Sequence, residues 1–218
     1  HSSETYFKQA MQRTHNWLTL CKQTHDKLNP AHQNPRALFG IVQGGLFANL
    51  RQESAKFVND LDLPGNAIGG LSVGESKDEM HAMLEASVPH LSDKKPRYLM
   101  GVGTPEDLLE AVDRGVDMFD CVHPTRLARH GGFFTNEGRF NIKNEQFKYD
   151  ETEIQGYSKS YLRHLFFENE IHAMRILSLQ NLQFLLDLMT KIREAINQDN
   201  FPQFKQNFLN TYDRTPHR

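Results

Sequence analysis

Along the chain, short apolar runs that stop at glycine or proline alternate with longer segments whose apolar residues recur at helical spacing. Ala37-Leu38-Phe39-Gly40-Ile41-Val42 is the first such run, and Gln43-Gly44-Gly45 breaks it. A helix is predicted over residues 47–61, closed by Leu63-Pro64-Gly65. Asn66-Ala67-Ile68 repeats the pattern and ends in Gly69-Gly70-Leu71-Ser72-Val73-Gly74-Glu75. Ser76-Lys77-Asp78-Glu79 then has the form of a capping box opening the next helix. Arg97-Tyr98-Leu99-Met100 is the third run and leads into Gly101-Val102-Gly103. Thr104-Pro105-Glu106-Asp107 offers an N-cap, a proline at the first helical position and acids in the first turn. The fourth run, residues 116–119, has the length of a buried strand and stops on Asp120-Cys121-Val122-His123-Pro124-Thr125-Arg126.

The flanking segments are helical or hairpin-like. Residues 5–27 carry Phe7, Met11, Thr14, Trp17, Leu18 and Cys21 at helical spacing, which predicts a helix ended by Asn29-Pro30, with Trp17 and Cys21 in the core. Residues 130–142 read as a β-hairpin turning at Asn136-Glu137-Gly138. Helices are predicted over 157–172 and 180–197, and a last one carries the stripe Phe201, Phe204, Phe208 and Tyr212, a packing surface. Strands alternating with helices imply an α/β protein with a parallel sheet. A doubly wound sheet and a (β/α)8 barrel both fit that alternation. A barrel usually needs ~250 residues, so four units would be its second half. The expected domains are residues 1–130, the barrel portion, and 131–218, a hairpin plus helical subdomain.

Composition narrows this further. The net charge of −2 means that a nucleic-acid partner would have to be met by a local patch. Two cysteines, Cys21 and Cys121, make no disulfide framework and suit a reducing, cytoplasmic compartment. Neither a membrane span nor a signal peptide is visible, so no membrane partner is expected. The chain opens at His1 within a helical pattern, the expectation for a fragment whose upstream part is missing.

Candidate chemistry gathers after the apolar runs. Glycines in Gln43-Gly44-Gly45, Gly69-Gly70-Leu71 and Gly101-Val102-Gly103 let a ligand approach the backbone, and Gln43 can both donate and accept. Together they suit a planar polar ligand such as a purine; none has the spacing of a phosphate loop or a dinucleotide fingerprint. Asp120 at a strand end is placed either for chemistry or simply to form the next turn. Arg126, Arg129, Arg139 and Lys143 face only Glu137 as an acid between 123 and 144, a cationic loop for phosphate contacts or a solvated surface. The eleven histidines show no zinc-binding spacing.

Four segments together resemble the tRNA-guanine transglycosylase, or queuine tRNA-ribosyltransferase, family of bacterial type. They are Phe39-Gly40-Ile41-Val42-Gln43-Gly44-Gly45, Ala67-Ile68-Gly69-Gly70-Leu71-Ser72-Val73-Gly74-Glu75, Pro96-Arg97-Tyr98-Leu99-Met100-Gly101-Val102-Gly103 and Asp117-Met118-Phe119-Asp120-Cys121-Val122, continuing at Pro124-Thr125-Arg126. The similarity runs in order from about Thr5 to Tyr212 and includes Tyr157-Ser158-Lys159-Ser160-Tyr161-Leu162. It implies the second half of a (β/α)8 barrel with a C-terminal zinc subdomain. The implied activity exchanges the wobble guanine of tRNA for a 7-deazaguanine in queuosine biosynthesis. Asp120 falls on the family's nucleophile, Gln43 and Gly70 on base-recognition positions, and Gly69, Leu71, Val73, Tyr98, Met100 and Gly101 on the surrounding pocket. Val73 stands where eukaryotic members have glycine, which implies the aminomethyl base rather than queuine.

Two segments fall on tRNA-binding positions of the family: Gly101, Val102, Gly103, Thr104, Pro105, Glu106 and Asp107, then Thr125, Arg126, Leu127, Ala128 and Arg129. The implied partners are a tRNA anticodon stem-loop, a 7-deazaguanine base, and a homodimer mate or a chain carrying the first half of the barrel. The family's general acid/base aspartate has no counterpart here. Its zinc ligands are also missing: Glu151-Thr152-Glu153-Ile154-Gln155 runs straight to Gly156-Tyr157, and Gln180-Asn181 replaces His-Asn. No metal or cofactor is therefore predicted. A catalytically silent paralogue, serving as partner subunit or tRNA-binding module, is the alternative function.

Overall fold

The computed structural model describes residues 3–29 and 36–212. The chain packs as two units, His1–Val102 with Glu110–Cys121, and Gly103–Leu109 with Val122–Arg218.

In the first unit, α1 (Glu4–Leu28) precedes β1 (Phe39–Val42), α2 (Ala48–Asp60), β2 (Gly65–Ile68), α3 (Lys77–Ser87), β3 (Arg97–Leu99), the helix α4 (Pro105–Asp113) that is divided between the units, and β4 (Met118–Phe119). The strands form one parallel sheet in the order β1-β2-β3-β4. Each new strand joins the same edge as the last, without the reversal of order found in doubly wound sheets. Alternate strand residues face the helices: an added Cβ at Gly40 would lie 2.8 Å from both Leu18 and Val58. Val42, Ile68 and Leu99 share that layer with Ala55 and Leu84, all essentially inaccessible to solvent. The capping box at the start of α3 forms as the sequence implies, Ser76 Oγ accepting from the Glu79 N–H and the Glu79 carboxylate from the Ser76 N–H.

Two expectations for this unit need correction. Trp17 is 62% exposed and Cys21 is also exposed. The buried seam of α1 is Met11, His15 and Leu18, at i, i+4 and i+7, which turns Trp17 and Cys21 outward. The fourth strand is two residues long rather than four, and Met118 is 45% exposed. The Val116 N–H is taken by Ala111 O in the turn after α4, so sheet pairing begins only beyond it. Pro30, expected to end α1, lies outside the described residues.

The second unit contains α5 (His123–Arg129), the antiparallel hairpin β5 (Gly132–Thr135) and β6 (Gly138–Asn141), and the two-residue strands β7 (Glu153–Ile154) and β8 (Tyr157–Ser158). It continues with α6 (Lys159–Phe167), α7 (Ile171–Asn197) and α8 (Phe201–Tyr212). Phe133, Ile142, Phe147, Leu162, Phe166 and Leu177 form its core. The aromatic stripe of α8 packs as expected, with Phe201 and Tyr212 buried and the Phe208 and Tyr212 rings 5.2 Å apart.

Arg126 and Arg129 of the cationic stretch lie on a helix rather than a loop, because Pro124 falls in the first turn, where its missing N–H costs nothing, while Arg139 lies on β6. The helix expected over 157–172 instead breaks at Asn169, which adopts φ 60°, and Glu170 donates back to Leu165 O at 2.9 Å. Asparagine tolerates that left-handed conformation. The following helix starts at Ile171 and runs unbroken through residues 173–179. Among the described residues, no helix is long and apolar enough to cross a membrane.

Candidate active site at the strand ends

The parallel register places the site. Val42 pairs with Ile68, Ile68 with Leu99, and Leu99 with Phe119. The next residue of each strand therefore stands in one row: Gln43, Gly69, Met100 and Asp120. The ladder continues one step into that row, with Gly69 N–H donating to Val42 O and Met100 N–H to Ile68 O, each at 3.1 Å. This is the carboxyl end of the sheet, where parallel α/β folds collect their chemistry.

Asp120 is held by two donors on one oxygen. The Tyr98 hydroxyl donates to Oδ1 at 2.7 Å, and the Gly101 N–H donates to the same atom at 2.9 Å. These bonds, the tyrosine's first, hold the carboxyl below its ordinary value of 3.8. The same contact raises the Tyr98 phenol, because losing its proton would place a second anion beside Asp120. Gly101 can aim its N–H this way because it sits at φ +77°.

The base-recognition candidates converge on the other end of the row. A Cβ added at Gly69 would lie 3.4 Å from Gln43 Nε2 and 3.6 Å from Met100 Sδ. At Gly70, where φ is +67°, it would lie 2.9 Å from Gln43 Oε1, so a side chain there would displace the amide. Leu71 is buried and Val73 is 81% exposed. Both Glu75 carboxylate oxygens accept backbone N–H groups, Oε1 from Ser72 and Oε2 from Val73 at 2.9 Å. Partial burial opposes the charge on Glu75, but these bonds outweigh it and lower the pKa.

Three side chains beneath the row gave no functional signal in the sequence. Arg51 is completely buried and donates to the carbonyls of Gly45, Val42, Gly69 and Gly70. Burial pushes its pKa down to about 10, which leaves it charged at neutral pH, and Glu75 opposes that shift. Ser54 Oγ accepts the Gln43 N–H at 2.9 Å and lies 2.9 Å from His15 Nε2. A pattern for them did exist: Arg51, Ser54, Ala55 and Val58 occupy i, i+3, i+4 and i+7 of α2, which puts a cation and a serine on its buried face.

The segment following β3 is mostly interior. Val102, Gly103, Pro105 and Asp107 are buried, Thr104 and Glu106 partly so, and Gly101 is exposed. Thr104 Oγ1 accepts the Asp107 N–H at 3.3 Å at the start of α4. In the second unit, Arg126 and Arg129 are exposed on α5, Thr125 and Leu127 are partly buried, and Ala128 is buried. The helix is fixed by Asn181 of α7, which is fully buried. Its Nδ2 donates to Pro124 O and Gly132 O, and its Oδ1 accepts the Phe134 N–H.

Where the resemblance implies a zinc-binding histidine, Gln180 donates to Phe134 O and accepts from Gln155 Nε2, both at 3.2 Å. Among the described residues, no group of three or more His, Cys, Asp or Glu side chains could hold a metal ion. These residues do not fit a structural zinc.

Comparison with known proteins gives a consistent picture. The family model described as queuine tRNA-ribosyltransferase matches residues 1–214. A protein of Herpetosiphon aurantiacus named queuine tRNA-ribosyltransferase is 49% identical, over 99% of this chain and 56% of its own length. Proteins of the same name from Halothermothrix orenii and Bacillus subtilis are 45% and 46% identical, over 97% and 95% of the chain and 57% and 55% of their own lengths. The chain thus spans a little over half the length of these relatives.

Proposed function

The chain belongs to the queuine tRNA-ribosyltransferase family, and from that premise we propose that its strand-end row exchanges a guanine of tRNA for a 7-deazaguanine. One observation carries the reading: the Asp120 carboxylate, held ionised by the Tyr98 hydroxyl and the Gly101 N–H, stands in the same row as Gln43 and Gly69. Both donors occupy Oδ1, so Oδ2 is the oxygen assigned to carbon. Its lone pair forms a bond to the ribose anomeric carbon while the bond to guanine N9 breaks and its electron pair leaves with the base. The incoming base then attacks the same carbon through its own N9 and expels the carboxylate. Guanine gains one proton and the incoming base releases one, so the exchange balances. The resemblance assigns those transfers to an aspartate in the first half of the barrel. A carboxylate flanking an oxocarbenium-like centre is the device of retaining glycosidases.

Gln43, with its two-faced amide, and the peptide groups at Gly69 and Gly70 are the assigned base readers. Arg126 and Arg129 are assigned to tRNA phosphates, for which the guanidinium fork is suited. The in-order sheet supports reading the first unit as one half of a (β/α)8 barrel. Incorporation of labelled guanine into tRNA tests the whole: Asp120→Asn should retain tRNA affinity and lose exchange by about a thousandfold or more. Exchange at near wild-type rate in that variant would refute the assignment.

A further inference from the structure

We propose that Arg51, with Ser54 one helical turn further along α2, is the positioning pair that sets the base-reading donors; the proposal rests on the reading that Gln43 and Gly70 recognise the base. Arg51 draws the carbonyls of Gly69 and Gly70 onto its guanidinium at 2.7 and 3.1 Å, from Nη1 and Nη2. In a trans peptide the carbonyl and the N–H of the same unit point in opposite directions. Fixing Gly69 O and Gly70 O towards Arg51 therefore turns the Gly70 and Leu71 N–H groups away from it. Among the described residues, neither of those N–H groups has a hydrogen-bond partner, and neither does the Gln43 amide. The result is a set of free donors beside a two-faced amide, complementary to the carbonyl-bearing edge of a purine.

The same helix fixes the other side of the set. Arg51 Nε donates to Gly45 O at 2.8 Å, which ties down the loop after β1. Ser54 Oγ takes the Gln43 N–H, so the backbone from which the amide extends is anchored as well. The partner of Ser54 is His15, a buried imidazole stacked on Phe57 at 4.0 Å, whose pKa burial lowers. A neutral imidazole can accept the serine proton, leaving Ser54 Oγ free to accept from Gln43. All four hydrogen bonds of Arg51 go to backbone carbonyls, with Glu75 acting on it only through its charge, and a buried cation held in this way is an expensive route to stability alone. Lysine, a point charge without the planar fork, cannot reproduce that arrangement.

Calorimetric titration of guanine and of 2,6-diaminopurine, which carries an amine in place of the 6-oxo group, tests the proposal. Wild-type protein should bind guanine and discriminate against the diamine. Arg51→Lys should weaken guanine binding by about tenfold or more, shrink that discrimination and leave tRNA affinity unchanged. Ser54→Ala should act in the same direction to a smaller extent, and it supplies the measurement if Arg51→Lys does not fold. In base exchange, both variants should raise the KM for the base more than they lower kcat. Failure of wild-type protein to bind guanine would overturn the reading of the site, and the proposal with it. Wild-type binding with unchanged affinity and discrimination in the folded variants would overturn the proposal alone, as would equal losses for guanine and tRNA.

Discussion

Arg51 in the first unit and Asn181 in the second are both fully buried, and both collect backbone groups from segments distant in sequence. They do so by different means. Asn181 is neutral, and its amide satisfies one N–H and two carbonyls with matched donors and acceptors. Arg51 brings a charge into the interior and directs every hydrogen bond to carbonyls, leaving the Gly70 and Leu71 N–H groups, on the other side of the same peptides, without a partner among the described residues. The first arrangement completes a support, pinning α5 and the β5–β6 hairpin to α7. The second stabilises one set of polar groups so that another remains available. Such an imbalance suits a surface meant to receive a ligand.

The sharpest way to break this contrast is Asn181→Ala. It strands one buried N–H and two buried carbonyls, each worth about 1–3 kcal/mol, and partial relaxation should bring the total to about 2–4 kcal/mol. Urea unfolding reads the loss, and tRNA affinity should fall through the loosened α5 while guanine affinity holds. A loss of guanine affinity as large as that of tRNA would erase the distinction between support and site.

A subtler change is Tyr98→Phe, which keeps the ring and removes the main cause of the Asp120 shift. With only the backbone N–H groups left, the carboxyl should move back towards 3.8. Because the proposed nucleophile must be ionised, the acid limb of kcat should shift to higher pH, while at neutral pH the carboxyl stays ionised in both proteins and this route leaves the rate little changed. An unmoved acid limb would mean that the hydroxyl contact does not tune Asp120.

The smallest expected effects lie on α5. Arg126→Ala and Arg129→Ala should each weaken tRNA binding and reduce the slope of log K against log salt by about one, since each phosphate contact releases counterions. Unchanged slopes in both would return α5 to a solvated surface.

Much of the first unit was legible in the sequence because its signals are local. Apolar runs bounded by glycine mark the strands, and the row Gln43, Gly69, Met100 and Asp120 follows once those runs are aligned in parallel. What escaped depends on partners remote in the chain. On α1, the apolar residues at 7, 11, 17, 18 and 21 span an arc wide enough for two seams, and the one used contains a polar residue, His15, whose partners Ser54 and Phe57 lie in α2. Arg51 looks like an ordinary exposed helix cation until the loops after β1 and β2 close over it. Pro124 reads as a chain break, although at a helix start it is an initiator. The single turn at Asn169 is too short for periodicity to register.

The proposed exchange requires that Asp120 become covalently attached to the tRNA. The most direct measurement is denaturing electrophoresis of the protein mixed with tRNA in the absence of an incoming base, followed by mass mapping of the linked peptide. A denaturant-resistant adduct should form on the peptide containing Asp120, be reversed by adding guanine and be absent in Asp120→Asn. An adduct at another residue, or one that persists in Asp120→Asn, would contradict it.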